Sequence, residues 1–145
     1  MKVKTQEKIT SEVIAKNIIY FDELDSTQKY AKKLAEEGIE NGTMVLTNNQ
    51  IDGIGTHERK WHSEEGKNIS FTLIIYPKCD VQKLDGLTVD IAQCMVDAIY
   101  EVCNVKLDIK KPNDLMCNEK KIGGILTQIT TLRKLHKVFI NRHWI

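Results

Sequence analysis

Two short stretches of this 145-residue chain hold residue types able to handle an anion. The first runs from Lys110 to Gln128 and reads KKPNDLMCNEKKIGGILTQ. Folded about a tight turn at Asn118-Glu119, its two arms bring Asp114 and Lys121 within reach of each other. A compact ammonium beside a carboxylate, next to Gly123-Gly124 with no side chains to obstruct a ligand, suits a site where negative charge gathers on a phosphate or carboxylate. The same residues also fit a surface ion pair on a hairpin whose glycines relieve packing, and on residue types alone that is the commoner outcome.

The second stretch is Gln50 to Trp61, QIDGIGTHERKW. A Gly53-x-Gly55 followed by Arg59-Lys60-Trp61 could wrap a nucleotide: backbone N–H groups toward phosphate, Arg59 as a charge clamp, Trp61 as an apolar wall. A lone Gly-x-Gly is a weak signal. An Arg-Lys pair in a loop is usually solvated, and a tryptophan more often anchors a core or lid than stacks on a base. His57 and His62 lack metal-ligand spacing and read as solvated loop residues. Ser26 has no base beside it in sequence, so it reads as a helix cap rather than a nucleophile.

The elements that must position these residues follow from periodicity and punctuation. Ile18 to Leu24 is β-prone. Asp25-Ser26 offers an N-cap to a helix from Thr27 to Glu37, with Tyr30, Ala31, Leu34 and Ala35 on one face and Gly38 as the stop. Met44 to Thr47 is a short apolar strand, and Asn48 to Lys67 reads as a long loop without period, a feature usually tied to function or mobility. Asn68 to Tyr76 is a strand whose near-continuous apolarity implies burial on both faces. Asp85 to Val102 is a helix whose stripe of Leu84, Leu87, Ile91, Met95, Ala98, Ile99 and Val102 is core. Leu107 to Lys110, Leu115 to Cys117 and Ile122 to Thr131 are strands. Two helices among strands without strict βαβ alternation predict an α+β fold with a mixed or antiparallel sheet.

Composition narrows the function classes. The length fits one domain with a core. At 41% hydrophobic, 28% charged and a formal net charge of +1, the chain is an ordinary globular one with no global charge that points to nucleic acid or an anionic membrane. The N-terminus lacks the apolar region of a signal peptide, and no apolar run is long enough to span a bilayer. Cys79, Cys94, Cys103 and Cys117 show no Cys-x-x-Cys spacing, so free thiols in a reducing cytoplasm are expected.

Taken in order along the chain, these segments resemble the catalytic domain of biotin–protein ligase, the class II synthetase-like fold shared with lipoate ligases. Leu24-Asp25-Ser26-Thr27 resembles the family's opening DST motif. Gln50 to Trp61, continuing to Ser63, Gly66 and Asn68, resembles its GRGRxGRxW…SPxGxN loop. Lys110 to Asp114 resembles KWPND, and Lys121 to Leu126 the K-[ILV]-[AG]-G-[IV]-L that follows. The resemblance covers Tyr20 to Phe139 and reverses the order of the two readings of the hairpin. It implies a single, partial catalytic domain that activates biotin with MgATP to biotinyl-5′-adenylate, then transfers it to a lysine of a biotin carboxyl carrier protein. By the same resemblance Lys121 is the catalytic lysine, meeting the biotin carboxylate and the α-phosphate, and Asp114 orients the incoming lysine or takes its proton. Ser26, Thr27, Gln50 and Gly53 would hold biotin, while Gly123 and Gly124 let backbone approach it. Gly55, Arg59, Trp61 and Asn113 would join Lys121 around ATP and the adenylate, the loop ordering to exclude water. Mg²⁺ would ride on the triphosphate, with no metal ligand assigned to the protein.

The chain departs from that pattern in three places. Ile54 and Thr56 stand where the loop has arginines, and Glu58 stands at its later glycine. Thr56 cannot replace a guanidinium fork, which predicts weaker retention of the adenylate. Lys111 replaces the tryptophan between Lys110 and Pro112. After the strand His136 to Ile140 a Gly-Ile-Gly-Ile-Asn run is expected, yet the chain reads Asn141-Arg142-His143-Trp144-Ile145. Those residues can be encoded AAT AGG CAT TGG, and a shift of one base reads Ile-Gly-Ile-Gly, so a frameshift or sequencing artefact is expected there. An exposed strand left by truncation could pair two chains into a homodimer, and the stretch before Ile18 is too short for a DNA-binding domain. Other functions compatible with the residues are a module that binds biotin or its adenylate without transfer, a lipoate ligase, and a nucleotide-binding regulator.

Overall fold

Capping chemistry sets the first junction. The strand β1 (Asn17–Leu24) stops before Ser26, whose extended backbone and hydroxyl, accepting from Lys29 N at 3.4 Å, open the helix α1 (Thr27–Glu36). Gly38, at φ +86°, lets the chain turn away after it. There follow β2 (Thr43–Gln50), the two-residue strands β3 (Gly53–Ile54) and β4 (Lys60–Trp61), and β5 (Ser70–Ile75). The helix α2 (Leu87–Cys103) ends on a left-handed Asn104 whose N–H returns to Tyr100 O. The chain closes with β6 (Asp108–Lys110), β7 (Asp114–Cys117), β8 (Lys120–Leu132) and β9 (Leu135–Trp144). This computed structural model describes residues 12–132 and 135–144. The N-terminal stretch through Ser11, read above as lacking a signal-peptide apolar region, residues 133–134 and Ile145 lie outside the described residues.

Seven of these strands form one sheet in the order β1-β2-β5-β9-β8-β7-β6, with β1–β2 parallel and every other pair antiparallel. The mixed α+β architecture expected from the sequence is the one observed. Its two helices lie on opposite faces. On one, α1 packs chiefly over β2, β5 and β9 around Ala31, Ala35, Val45, Ile74 and Phe139. On the other, α2 covers β6, β7 and β8 around Leu73, Ala92, Leu115, Ile125 and Ile140. Adjacent residues Leu73 and Ile74, or Phe139 and Ile140, thus enter different cores. That explains why the middle of β5 reads as an unbroken apolar run.

Several boundaries differ from the sequence reading. Asn48 to Gln50 continue β2, and the supposed loop beyond it contains the small β3–β4 ladder, Gly53 opposite Trp61 and Ile54 opposite Lys60. Two-residue strands leave no periodic trace. The apolar stripe of α2 is half-buried through Leu87, Ile91 and Met95, but Ala98 is exposed and Val102 is 82% exposed. The strands β6 and β7 beneath this 17-residue helix are three and four residues long, too short to cover its last turns. The strand β9 pairs with β5 on one side and β8 on the other, so among the described residues the sheet's edges are β1 and β6. All four cysteines are free. Among the described residues no helix is long and apolar enough to cross a membrane.

Candidate active site

The placement of Lys121 depends on a break in strand register. Asp114 lies directly opposite Gly124 and Leu115 opposite Gly123, but Met116 pairs with Lys121, leaving Ile122 as an extra residue in β8. In a regular strand residues 121 and 124 point to opposite faces. The bulge at Ile122 reverses the alternation and turns Lys121 onto the face that carries Asp114 and Gly124. Lys121 Nζ then meets Asp114 Oδ1 at 2.7 Å. The two-residue turn that carries this hairpin, Asn118-Glu119, has φ of 47° and 66°, the positive pair of a type I′ turn.

This is the face that α1 leaves open over β7 and β8. The β3–β4 ladder folds across it instead. Trp61 brings its ring centroid within 5.2 Å of Lys121 Nζ, a cation–π contact. A Cβ built on Gly124 would lie 3.5 Å from Trp61 Cζ3 and 3.7 Å from Lys121 Nζ, so the bare backbone of Gly124 forms the floor between them. Gly55, Thr56, Arg59, Lys60, Trp61, Asn113, Lys121, Gly124, Ile125 and Leu126 line the resulting cleft. Asn113 is held at its rim by a backbone bond, Ile125 N–H to Asn113 O at 2.8 Å. Gly55, Arg59, Trp61, Asn113 and Lys121, singled out from two distant stretches of sequence, therefore share one cleft, with Asp114 in contact through Lys121. Gly123, one residue back along the pleat, faces away.

Beside the cleft, under the N-terminus of α1, lies a buried polar layer. Ser26, Thr27 and Gln50 are at most 2% exposed, as are Thr47, Ser70 and Thr72 from the neighbouring strands. Thr27 N–H and Oγ1 both donate to Gln50 Oε1, at 2.9 and 3.1 Å, and Thr72 Oγ1 donates to Thr27 Oγ1 at 2.9 Å. Ser63 Oγ donates to Gln50 O at 2.7 Å and clamps the backbone there. Gly53 joins this layer to the cleft. A Cβ at Gly53 would fall 2.6 Å from Gln50 Nε2 and 2.9 Å from Trp61 O. Gly53→Ala is expected to displace both and to destabilise the chain by about 1–3 kcal/mol, measurable by urea unfolding. Sequence reading gave Lys60 of the Arg-Lys-Trp run no role of its own and missed Ser70 and Thr72. The latter two had a signal, since their period-two spacing inside an apolar strand puts both hydroxyls on one face.

The outer loop carries strain and charge. His57 and Glu58 both adopt left-handed backbone, φ 57° and 59°, uncommon for residues with side chains. Both histidines of the loop, His57 and His62, are exposed. Asp52 is tied to Lys29 of α1 at 2.6 Å, and that hydrogen bond and charge hold its carboxyl below the ordinary value of 3.8. A lowered folded value means the tether is intact above 3.8 and is lost as pH falls through the folded value. Lys29 is therefore expected to release Asp52 only under acid conditions, visible as a carboxyl titration by NMR below the ordinary range. Among the described residues no three histidines, cysteines or carboxylates come together as a metal site.

A mixed sheet with a helix on each face and a cleft roofed by a loop is a class II aminoacyl-tRNA synthetase-like fold, matching solved biotin protein ligases. The Aquifex aeolicus biotin protein ligase in complex with biotin and ATP aligns with a TM-score of 0.69 and 28% identity, covering 89% of this chain and 52% of that one. The Leishmania major biotin protein ligase in complex with biotinyl-5-AMP shares the fold at a TM-score of 0.72 and 24% identity, over 87% of this chain and 56% of that one. Residues 20–143 match the Biotin/lipoate A/B protein ligase family, and the chain belongs to it. The bifunctional ligase/repressor BirA of Bacillus subtilis is 40% identical over 121 residues, which is 83% of this chain and 37% of that protein. The biotin–[acetyl-CoA-carboxylase] ligase of Paracoccus denitrificans is 34% identical over 106 residues, 72% of this chain and 43% of that protein. The chain thus spans less than half the length of these curated relatives.

Proposed function

We propose that this chain carries the adenylate-forming site of a biotin–protein ligase. The observation that carries the reading is Lys121: a bulge turns it onto Asp114 and Trp61, above bare Gly124, in a cleft beside a buried polar layer. In the first step a biotin carboxylate oxygen attacks the α-phosphorus of MgATP, the bond to the β-phosphate oxygen breaks, and pyrophosphate leaves. Two anions must approach, and the Lys121 ammonium, already fixed in place, offsets their repulsion and the charge of the transition state. Arg59 and Lys60 supply further positive charge to the phosphates, and Asn113 lies where it can bond the nucleoside. Mg²⁺ would come with the nucleotide as part of the substrate.

In the second step a lysine amine of a carrier domain attacks the acyl carbon, the acyl–oxygen bond breaks, and AMP leaves. Once Lys121 turns to the phosphates, Asp114 is left beside the incoming amine and can take its proton. The layer of Ser26, Thr27 and Gln50 suits the ureido head of biotin. A cyclic urea offers such a polar layer both N–H and carbonyl groups, whereas a lipoyl dithiolane offers neither, which favours biotin over lipoate.

A second reading, a module that holds biotin or its adenylate without transfer, is favoured by Thr56 in the cleft lining and the acidic Glu58 in the same loop. Calorimetry with biotin, then biotin plus MgATP, separates these outcomes. Biotin binding followed by heat and pyrophosphate release supports the ligase; binding without release supports the module; uptake of lipoate in preference to biotin defeats both.

A further inference from the structure

We propose that Lys60 grips the outer phosphates of the nucleotide, and that Lys29 of α1 is a positioning residue that keeps Lys60 free by holding Asp52. The inference rests on the ligase reading above and deepens it. Lys60 and Trp61 are neighbours in β4, so their side chains leave the ladder on opposite sides. Trp61 turns inward onto Lys121 and Gly124, which leaves Lys60 at the rim of the cleft it helps to line. A nucleotide whose α-phosphate meets Lys121 has two further phosphates to place, and a long, flexible ammonium at the rim suits them.

Asp52 is the competitor for that ammonium. It lies two residues before Ile54, the register partner of Lys60, so the two charges share one side of the ladder as diagonal neighbours within reach of a lysine. The hydrogen bond and charge of Lys29 hold the Asp52 carboxyl low, and the nearby Lys60 charge adds to the effect. The contact Asp52 makes is with Lys29, at 2.6 Å, and Lys60 enters no ion pair among the described residues. A backbone bond, Asp52 N–H to Asp25 O at 2.8 Å, fixes Asp52 independently of that side-chain contact. Removing Lys29 therefore frees a carboxylate that stays beside Lys60 and can capture it.

Calorimetry with MgATP, AMP and biotin tests this. Lys60→Met is expected to weaken MgATP binding about tenfold, as loss of a charge-assisted bond does, with AMP and biotin affinities unchanged. Lys60→Arg keeps the charge and should stay close to the wild type. Lys29→Met is expected to weaken MgATP about threefold, the scale of an exposed ion pair. Adding Asp52→Asn should restore the affinity, and Lys29→Met should have no further effect in a Lys60→Met background. Unchanged MgATP affinity in Lys60→Met overturns the proposal, as does equal weakening of MgATP and AMP. A Lys29→Met effect that persists without Lys60 overturns the role of Lys29. A wild-type chain that binds MgATP through Lys60 yet releases no pyrophosphate with biotin defeats the ligase reading and upholds the proposal; one that binds no MgATP overturns both.

Discussion

Lys121→Met should lower biotin-dependent pyrophosphate release by about 10²–10³-fold, the usual loss when one preorganised group facing developing charge is removed. The expected loss is in turnover rather than in biotin affinity, because Lys121 lines the cleft and pairs with Asp114, whereas the proposed biotin contacts are Ser26, Thr27 and Gln50. Stability should barely change: the Lys121 side chain is 40% exposed, and exposed ion pairs contribute only about 0–1 kcal/mol. Arginine at 121 should not restore the rate, since a broad planar fork cannot take the place of a point charge packed against Trp61 and Gly124. Steady-state pyrophosphate assays with calorimetry on the same samples check both halves. A variant that bound biotin poorly but turned over normally would place Lys121 outside the chemistry.

The second large effect concerns the loop. The double substitution Thr56→Arg with Glu58→Gly is expected to lengthen the dwell time of the adenylate by about 10- to 100-fold, the equivalent of one or two charge-assisted hydrogen bonds. Two physical changes combine. A guanidinium enters the cleft lining at 56, and a carboxylate leaves the loop that must close over an anion. Glycine at 58 also relieves the left-handed backbone at φ 59°, a conformation that costs a residue with a side chain about 1–2 kcal/mol. Glu58→Gly alone should therefore raise the melting temperature even without ligand. Release of labelled adenylate into a chase of unlabelled biotin and ATP gives the dwell time. No change in the double variant would mean that the wild-type loop already grips the adenylate by other groups.

Much of this was legible in the sequence, and the part that was not is nonlocal. Ser26 and the apolar spacing after it announced α1, and Asn118-Glu119 announced the hairpin turn, because caps and tight turns are written in a few consecutive residues. Motif order along the chain pointed to the family that residues 20–143 match. Local pattern could not reveal the extra residue at Ile122, yet that bulge is what puts Lys121 and Asp114 on one face. Nor could it reveal that β9 inserts between β5 and β8, or that Thr72 reaches Thr27 across 45 positions of sequence. Pairings of that kind are decided by which faces the two helices bury, a property of the whole sheet.

Single-turnover analysis of the wild-type chain with biotin and MgATP, with products identified by mass spectrometry, reaches the proposed chemistry without intermediaries. Biotinyl-5′-adenylate and pyrophosphate should appear together in equal amounts, and both should form about 10²–10³-fold more slowly with Lys121→Met. Bound biotin and bound ATP that remain unreacted in the wild-type chain would contradict an adenylate-forming site.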